Sequence, residues 1–293
     1  MKAFESKEEV INLINLITEI DYIDSCASYS YIKNILLNFS IPFPVLSIKK
    51  ERLLFRARPH LNNEKYFNLI DEISYIPRSE SNHIKDFGRA NEPGQSLFYC
   101  CDMRELAFME TSNNVRYTEK NIAETFTIGA WEVQEDLRVM LITNNENING
   151  LNSTLESLNI PFEELFNPFR KNGLDFLFLL LDFFSKEFTR DVKGETSKYK
   201  ISCAFANYVN EIYGFDSFEK KTNEFDGVLY PSVLFNRAGM NLALNTKVID
   251  KGKLKLVCAM KATMKMKNDF QFMEDDIEVC KSIDWYNKKI IWE

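Results

Sequence analysis

Strand-like segments lie on both sides of one strongly helical stretch, and this arrangement constrains the fold more than any other feature. Five segments are apolar or alternating and end near Pro, Gly or charged residues, as strands do. These segments are 53–58, 97–101, 125–142, 228–235 and 254–266. Residues from about 151 to 215 have apolar side chains at helical spacing instead. The pattern predicts an α+β fold, with a mixed or antiparallel β core, flanking helices and a helical insertion at about 151–215.

The first 48 residues differ from the rest and are predicted to form a helical extension. Ser6 and Glu9 form a capping-box pattern ahead of apolar residues at helical spacing. The Pro-Phe-Pro sequence at 42–44 breaks the helical pattern before the first strand. We therefore expect two parts, a helical extension at 1–48 and a main domain at 49–293.

Net charge and the length of apolar runs argue against two kinds of partner. The formal net charge is −7 and the isoelectric point is about 5.2, which would repel a phosphate backbone, so we expect no nucleic acid partner. The longest apolar run, 176–181, is far shorter than the roughly 20 residues of a membrane span. Acidic residues stand where a signal peptide has its apolar stretch. We expect a cytoplasmic protein without a membrane partner.

Motifs of several common enzyme classes are missing from the sequence. The six cysteines include no CxxC pair, and neither His60 nor His83 has a metal-ligand spacing. We therefore expect reduced thiols and no metal site. No GxSxG elbow, Walker loop or GxGxxG motif occurs either, which argues against the usual hydrolase, NTPase and Rossmann classes.

Three segments stand out because they concentrate arginine, tyrosine, carboxylate and hydroxyl side chains. The central one begins with Gly-Arg-Ala-Asn-Glu-Pro-Gly at 88–94, continues into a strand that contains Tyr99, and ends on a helix that carries Glu110. Asp102 is the predicted N-cap of that helix. The flanking segments are Leu-Phe-Arg at 54–56 and the segment from Asp226 to Ser232, Asp-Gly-Val-Leu-Tyr-Pro-Ser.

These segments resemble the motifs of the RES-domain family, in the family's order. The central segment resembles the Gly-Arg-x-Asn-x-x-Gly loop, the strand ending in Tyr and the Leu-Ala-x-x-Glu helix. The segment 54–56 resembles the opening Arg strand, and 226–232 resembles the closing Ser motif. Residues 239–244 extend the similarity, which covers about 53–260.

The resemblance implies a fold, an activity and a partner. RES proteins are similar in fold to ADP-ribosyltransferases, and their characterised activity is the destruction of NAD, often as the toxin of a toxin–antitoxin pair. We therefore expect an NAD glycohydrolase or phosphorylase, with NAD as the substrate and no separate cofactor. A helix-turn-helix antitoxin is the expected protein partner, and 49–293 is the expected catalytic domain.

The resemblance also implies an active-site set whose side chains suit this reaction. Its members are Arg56, Arg89, Tyr99, Glu110 and Ser232. Breaking the nicotinamide–ribose bond passes through an oxocarbenium-like state that a carboxylate can stabilise. One guanidinium group can bind two oxygens of a pyrophosphate side by side.

The roles of the remaining residues follow from their side chains. Tyr99 is expected to stack on a base or donate a hydrogen bond, and Ser232 to donate to a ribose or phosphate oxygen. Arg58 is an alternative to Arg56 as the first motif arginine. Asn91 and Asn241 are expected to be structural, holding loops through side-chain to backbone bonds.

Two other functions remain open. The chain is alternatively a non-catalytic module that senses NAD or a related nucleotide and is recognised by a partner protein. It is also alternatively an ADP-ribosyltransferase that modifies a macromolecule. A lone carboxylate beside two phosphate-binding arginines favours catalysis, because a binding module has no need of it.

Overall fold

The computed structural model describes nine stretches of the chain. These are residues 1–23, 26–60, 66–112, 123–143, 174–192, 194–213, 224–233, 239–268 and 271–292. Within them the α-helices are α1 (Lys7–Tyr22), α2 (Cys26–Leu36), α3 (Arg104–Thr111), α4 (Phe178–Phe188), α5 (Lys200–Tyr213) and α6 (Lys247–Asp250). The 3₁₀ helices are Ile70–Ile73, Arg78–His83, Asp175–Leu177 and Thr196–Tyr199.

Nine of the described strands form one mixed sheet in the order β1-β5-β6-β7-β3-β2-β4-β8-β9. They are β1 (Val45–Ile48), β2 (Leu53–Pro59), β3 (Phe98–Cys101), β4 (Ala123–Val133), β5 (Leu137–Leu141), β6 (Gly227–Pro231), β7 (Met240–Leu244), β8 (Leu254–Asn268) and β9 (Gln271–Val279). Among these pairings only β5 with β6 is parallel. Strands β10 (Ser282–Asp284) and β11 (Lys289–Ile291) form a separate antiparallel pair. The protein is therefore an α+β protein with a large mixed sheet, as predicted.

Buried apolar residues cover both faces of this sheet. On one face, α1, α2, α4 and α5 pack over the β6, β7 and β3 region, and α3 packs over β2, β4 and β8. On the other face, the core includes Phe98, Trp131 and side chains from the 3₁₀ helix Ile70–Ile73. The first face is thus covered by two groups of helices that meet above β3.

The N-terminal segment contains a strand in addition to the predicted helices. Ser6 caps α1 as predicted, since its hydroxyl accepts a hydrogen bond from the Glu9 N–H at 3.3 Å. Residues 45–48, however, form β1 rather than helix and pair with β5. Prolines at 42 and 44 favour extended backbone here, and Leu46 and Ile48 alternate into the core.

The helical insertion is described in part. Helices α4 and α5 occupy 178–188 and 200–213, as the apolar pattern predicts, whereas 144–173 lies outside the described residues. The predicted strand at 228–235 is described up to residue 233 and forms β6. No helix in the described stretches is long and apolar enough to cross a membrane.

Asp102 does not cap α3, so that prediction is wrong. The N-cap residue is Met103, whose side chain makes no capping bond. The Asp102 carboxylate instead accepts a hydrogen bond from the Met240 N–H at 2.9 Å. Asp102 therefore ties the start of α3 to β7, and this bond helps to position the helix over the site.

Candidate active site

Strand register gathers the first site residues in one row. Cys101 on β3 pairs with Asn241 on β7, and Asn241 pairs with Tyr230 on β6. Directly paired residues of antiparallel strands point to the same face of a sheet. The Cys101 thiol donates a hydrogen bond to Asn241 Oδ1 at 3.1 Å. The Asn241 amide is thereby fixed with its NH₂ group turned away from Cys101.

Glu110 lies on the last turn of α3 and reaches this row. Four consecutive α3 residues, 106–109, are buried, which fixes the helix on the sheet. Glu110 Oε1 accepts a hydrogen bond from Asn241 Nδ2 at 2.6 Å and another from the Ser232 hydroxyl at 2.7 Å. Ser232 is fully buried and Asn241 nearly so. Two immobilised donors therefore orient one partly buried carboxylate.

The Gly-Arg-x-Asn loop is built on Tyr99. The Tyr99 hydroxyl donates to Asn91 Oδ1 at 2.8 Å and accepts from the Ala90 N–H at 3.1 Å. A Cβ on Gly88 would stand 2.2 Å from Asn91 Oδ1 and 3.0 Å from the Tyr99 oxygen, so the close approach requires glycine. Burial raises the pKa of Tyr99 above its usual range, which keeps the hydroxyl protonated.

Arg89 joins the same loop to the helical insertion. Its Nη1 donates to the carbonyl of Phe188 at 2.7 Å and to that of Arg190 at 3.0 Å. These carbonyls lie at the C-terminal end of α4, where the helix dipole favours a cation. The guanidinium also stands 4.8 Å from the centre of the Tyr199 ring. Residues of the helical insertion therefore hold the Arg89 guanidinium in place.

Tyr230 connects the two halves of the site. It is buried, and its ring centre lies 5.1 Å from that of Phe188. Burial is the main cause that raises the pKa of Tyr230 well above its usual range, the Glu110 carboxylate raises it further, and the Arg89 guanidinium lowers it. Both charged groups therefore lie close enough to Tyr230 to act on its hydroxyl.

Arg56 lies on the opposite face of β3 from the Tyr99 ring. Its guanidinium stands 5.4 Å from the Phe98 ring centre and donates to the carbonyls of Ser74 and Tyr99 at 3.1 and 2.8 Å. Burial lowers the pKa of Arg56 to about 10, so it stays a cation at neutral pH. The more exposed Arg58 donates to the Glu72 carbonyl. Of the two arginines, Arg56 is the one that contacts the strand of Tyr99, and its role toward a substrate stays a prediction.

Asn241 and Tyr230 are the site residues that the sequence reasoning missed. The expectation for Asn91 agrees with its bond to the Glu92 carbonyl at 3.2 Å. Asn241, expected to hold a loop, instead holds the Glu110 carboxylate. One pattern pointed to Tyr230: it lies on β6 two residues before Ser232, which directly follows that strand, and side chains two apart in extended backbone share a face.

The site offers a carboxylate, a guanidinium and aromatic rings on one side of the sheet, which suits a cationic glycoside with phosphates. In the described part of the chain, no group of three or more His, Cys, Asp or Glu side chains is placed to hold a metal ion.

A separate groove of about 480 Å³, lined by Tyr66, Ile290, Trp292 and four further residues, lies beside β11. Ile290 and Trp292 pack on the face opposite to Glu110.

The fold and the site define an α+β protein with a helix-borne carboxylate held over a mixed sheet. The family model for the RES domain matches residues 53–259, which is more than half of the chain. The chain belongs to the RES-domain family. No curated protein and no solved structure matches it. The matched range includes every residue of the site described above.

Proposed function

We propose that this protein consumes NAD by cleaving the bond between nicotinamide and ribose. The observation that carries the proposal is the Glu110 carboxylate, held through one oxygen by Ser232 at 2.7 Å and Asn241 at 2.6 Å. Membership of the RES-domain family adds a family-level link to NAD. The acceptor of the ADP-ribose is water or phosphate, which makes the enzyme a glycohydrolase or a phosphorylase.

The chemistry needs one well-placed carboxylate. Nicotinamide is cationic in NAD and leaves as a neutral molecule, so no general acid has to protonate it. As the bond breaks, positive charge develops on the ribose, and an oriented carboxylate stabilises that charge more than it stabilises the ground state. Ser232 and Asn241 then act as positioning residues that keep the Glu110 carboxylate in one direction.

Binding of the pyrophosphate falls to Arg89. Because Nη1 is engaged by the two carbonyls of the insertion, we assign the edge formed by Nε and Nη2 to the phosphate oxygens. This edge of a guanidinium binds two oxygens side by side. The ring of Tyr99, which is partly exposed, supplies a surface for the nicotinamide or for the adenine. Arg56 donates to two main-chain carbonyls on the face opposite the Tyr99 ring, so within the proposal it supports the strand of Tyr99 and Arg89 alone is assigned to the phosphates.

Several wider expectations belong to the same proposal. NAD is the substrate and no separate cofactor takes part. The proposal includes a fold similar to that of ADP-ribosyltransferases and a role as a toxin in the cytoplasm. A helix-turn-helix antitoxin is its partner. If the protein is a toxin, its expression should arrest growth. If it has a helix-turn-helix antitoxin, co-expression of that antitoxin should relieve the arrest.

The test is nicotinamide release from NAD by the purified protein, with and without phosphate. We expect Glu110→Gln to lower the rate by about 100- to 1,000-fold, the range for removal of one electrostatic group at a reacting centre. Glu105→Gln is the matched control, because Glu105 lies exposed on the same helix and pairs with Arg104. Its rate should stay within about twofold of the wild type, as expected for a surface ion pair.

Three results separate the alternatives. Phosphate dependence of the rate, with ADP-ribose 1-phosphate as product, identifies phosphorolysis, and ADP-ribose alone identifies hydrolysis. Release by Glu110→Gln at the wild-type rate would contradict the role of the carboxylate. A cooperatively folded wild-type protein that binds NAD in calorimetry but releases no nicotinamide would contradict the enzyme and favour a sensing module.

A further inference from the structure

Two cysteines lie near each other where β8 begins and β9 ends. Among the five cysteines whose side chains are described, Cys100, Cys101 and Cys203 are buried, whereas Cys258 and Cys280 are partly exposed. Cys258 lies on β8, and Cys280 follows the last residue of β9. The two partly exposed thiols are therefore the pair that a small oxidant reaches.

The backbone between the strands holds both sulfur atoms close together. The Cys280 N–H donates to the Ala259 carbonyl at 2.8 Å, and the Ala259 N–H donates to Cys280 Sγ at 3.1 Å. The Cys258 thiol lies 3.9 Å from the same Ala259 carbonyl. Both sulfur atoms thus flank the peptide groups of one residue.

The strand register allows a covalent bond between the two. Met260 pairs with Val279, so Cys280 stands opposite Ala259, next to Cys258. Strand spacing and rise per residue place Cα atoms in such a diagonal relation about 6 Å apart. Disulfides form over Cα separations of roughly 4.4–6.8 Å. Cys280 lies beyond the last paired residue of β9. Its side chain therefore need not follow the alternation of side chains between the two faces of that strand.

The two thiols are not equivalent. Burial, and then the neighbouring Cys280, raise the pKa of Cys258. Cys280 Sγ accepts a hydrogen bond from the Ala259 N–H at 3.1 Å. A raised pKa leaves less of Cys258 as the reactive thiolate. We therefore assign Cys280 as the nucleophile and Cys258 as the thiol that resolves the intermediate.

We propose that Cys258 and Cys280 form a redox-sensitive dithiol that closes to a disulfide when a hydroperoxide oxidises it. Cys280 Sγ attacks one peroxide oxygen, the O–O bond breaks, and Cys280 becomes a sulfenic acid as one water or alcohol leaves. Cys258 Sγ then attacks the Cys280 sulfur, the S–O bond breaks, and a second water leaves. The two thiols lose two hydrogen atoms in total, and the peroxide is reduced.

The test is mass spectrometry of the full chain after reduction, brief treatment with hydrogen peroxide and alkylation of the remaining thiols. We expect a loss of about 2 Da before alkylation, the mass of the two hydrogen atoms removed on forming a disulfide. Tandem spectra of the digest should show the Cys258–Cys280 linkage. Cys203→Ser is the matched control, since this buried cysteine should leave the linkage intact.

Further variants and the unfolded chain decide the outcome. In Cys258→Ser, dimedone should label Cys280, because its sulfenic acid then has no resolving thiol. Protein unfolded in urea should give mixed pairings instead of this linkage, which would show that the fold brings the thiols together. Folded wild-type protein in which both thiols remain alkylatable, or in which either one pairs with another cysteine, would overturn the assignment. Nicotinamide release plays no part in this test, so its outcome does not depend on the proposed function.

Discussion

Replacement of Asn241 by alanine tests whether the amide directs the Glu110 carboxylate. The hydrogen bond from Asn241 Nδ2 to Glu110 Oε1 is short, at 2.6 Å, and its acceptor is a carboxylate oxygen. Hydrogen bonds to charged groups contribute about 1.5–3 kcal/mol. If that energy is expressed in the transition state, the rate of nicotinamide release falls by about 10- to 150-fold, since each 1.36 kcal/mol is a factor of about ten. Ser232 still holds the carboxylate, so some activity should remain.

The assay is single-turnover release of nicotinamide, with thermal unfolding measured on the same preparations. Asn207→Ala is the matched control, because this buried asparagine on α5 donates to the Tyr29 hydroxyl at 2.9 Å and to Gln95 at 3.0 Å. Both variants should lose similar stability, about 1–3 kcal/mol, for a buried hydrogen bond broken on one side. The loss of rate should be confined to the Asn241 variant, with kcat falling more than the KM for NAD rises.

Asn241→Asp gives a readout that loss of structure alone would not change. A second carboxylate against Glu110 means that one of the two keeps a proton to higher pH, because like charges at this distance disfavour double ionisation. The acid limb of the pH–rate profile should move to higher pH. A folded Asn241→Ala protein with a rate within twofold of the wild type, or an unshifted profile for Asn241→Asp, would refute the positioning role.

Three further changes test the surroundings of the site and the core. Gly88→Ala places a Cβ 2.2 Å from Asn91 Oδ1, so we expect a loss of about 1–3 kcal/mol in denaturant unfolding; an unchanged midpoint would contradict the close approach. Arg89→Lys removes the paired donors and should raise the KM for NAD about tenfold, a change worth about 1.4 kcal/mol; an unchanged KM would count against phosphate binding. Asp226→Ala breaks the buried pair with Lys253, 2.8 Å apart, and should cost about 3–5 kcal/mol on thermal unfolding; a loss below 1 kcal/mol would show that the pair is solvated.

The spacing of apolar residues predicted where individual strands and helices lie better than it predicted which strands pair with each other. Strands β2, β3 and β8 and helices α4 and α5 lie where the apolar spacing indicates, because each buries a face with its own period. The strands β4 and β5 are consecutive in the chain, yet β2 and β8 flank β4 while β1 and β6 flank β5. Pairing between strands depends on contacts that are distant in sequence, and no local pattern encodes them.

The site shows the same division between local and distant information. The motif residues Arg89, Tyr99, Glu110 and Ser232 could be named from the sequence, because residue types and spacing carry the resemblance. The partner of Glu110 could not, since Asn241 reaches it only through the register of three strands and the placement of α3. An asparagine has the same local preferences whether it holds a loop or a carboxylate.

The contacts of Arg89 also depend on distant residues. Its two carbonyl partners are the last residue of α4 and a residue just beyond it, about a hundred residues further along the chain. The sequence indicates a phosphate-binding arginine and a helical insertion as separate features. Only the packing of α4 against the Gly-Arg loop shows that one fixes the other.

The most direct test of the central claim is a crystal structure of the Glu110→Gln variant with NAD bound. We expect the anomeric carbon of the nicotinamide ribose within about 4 Å of the residue 110 side chain, the distance of a reactive contact, and the pyrophosphate against Arg89. Ser232 and Asn241 should still contact the residue 110 side chain. NAD bound instead in the groove beside Tyr66 and Trp292, or with its nicotinamide ribose turned away from residue 110, would contradict the account.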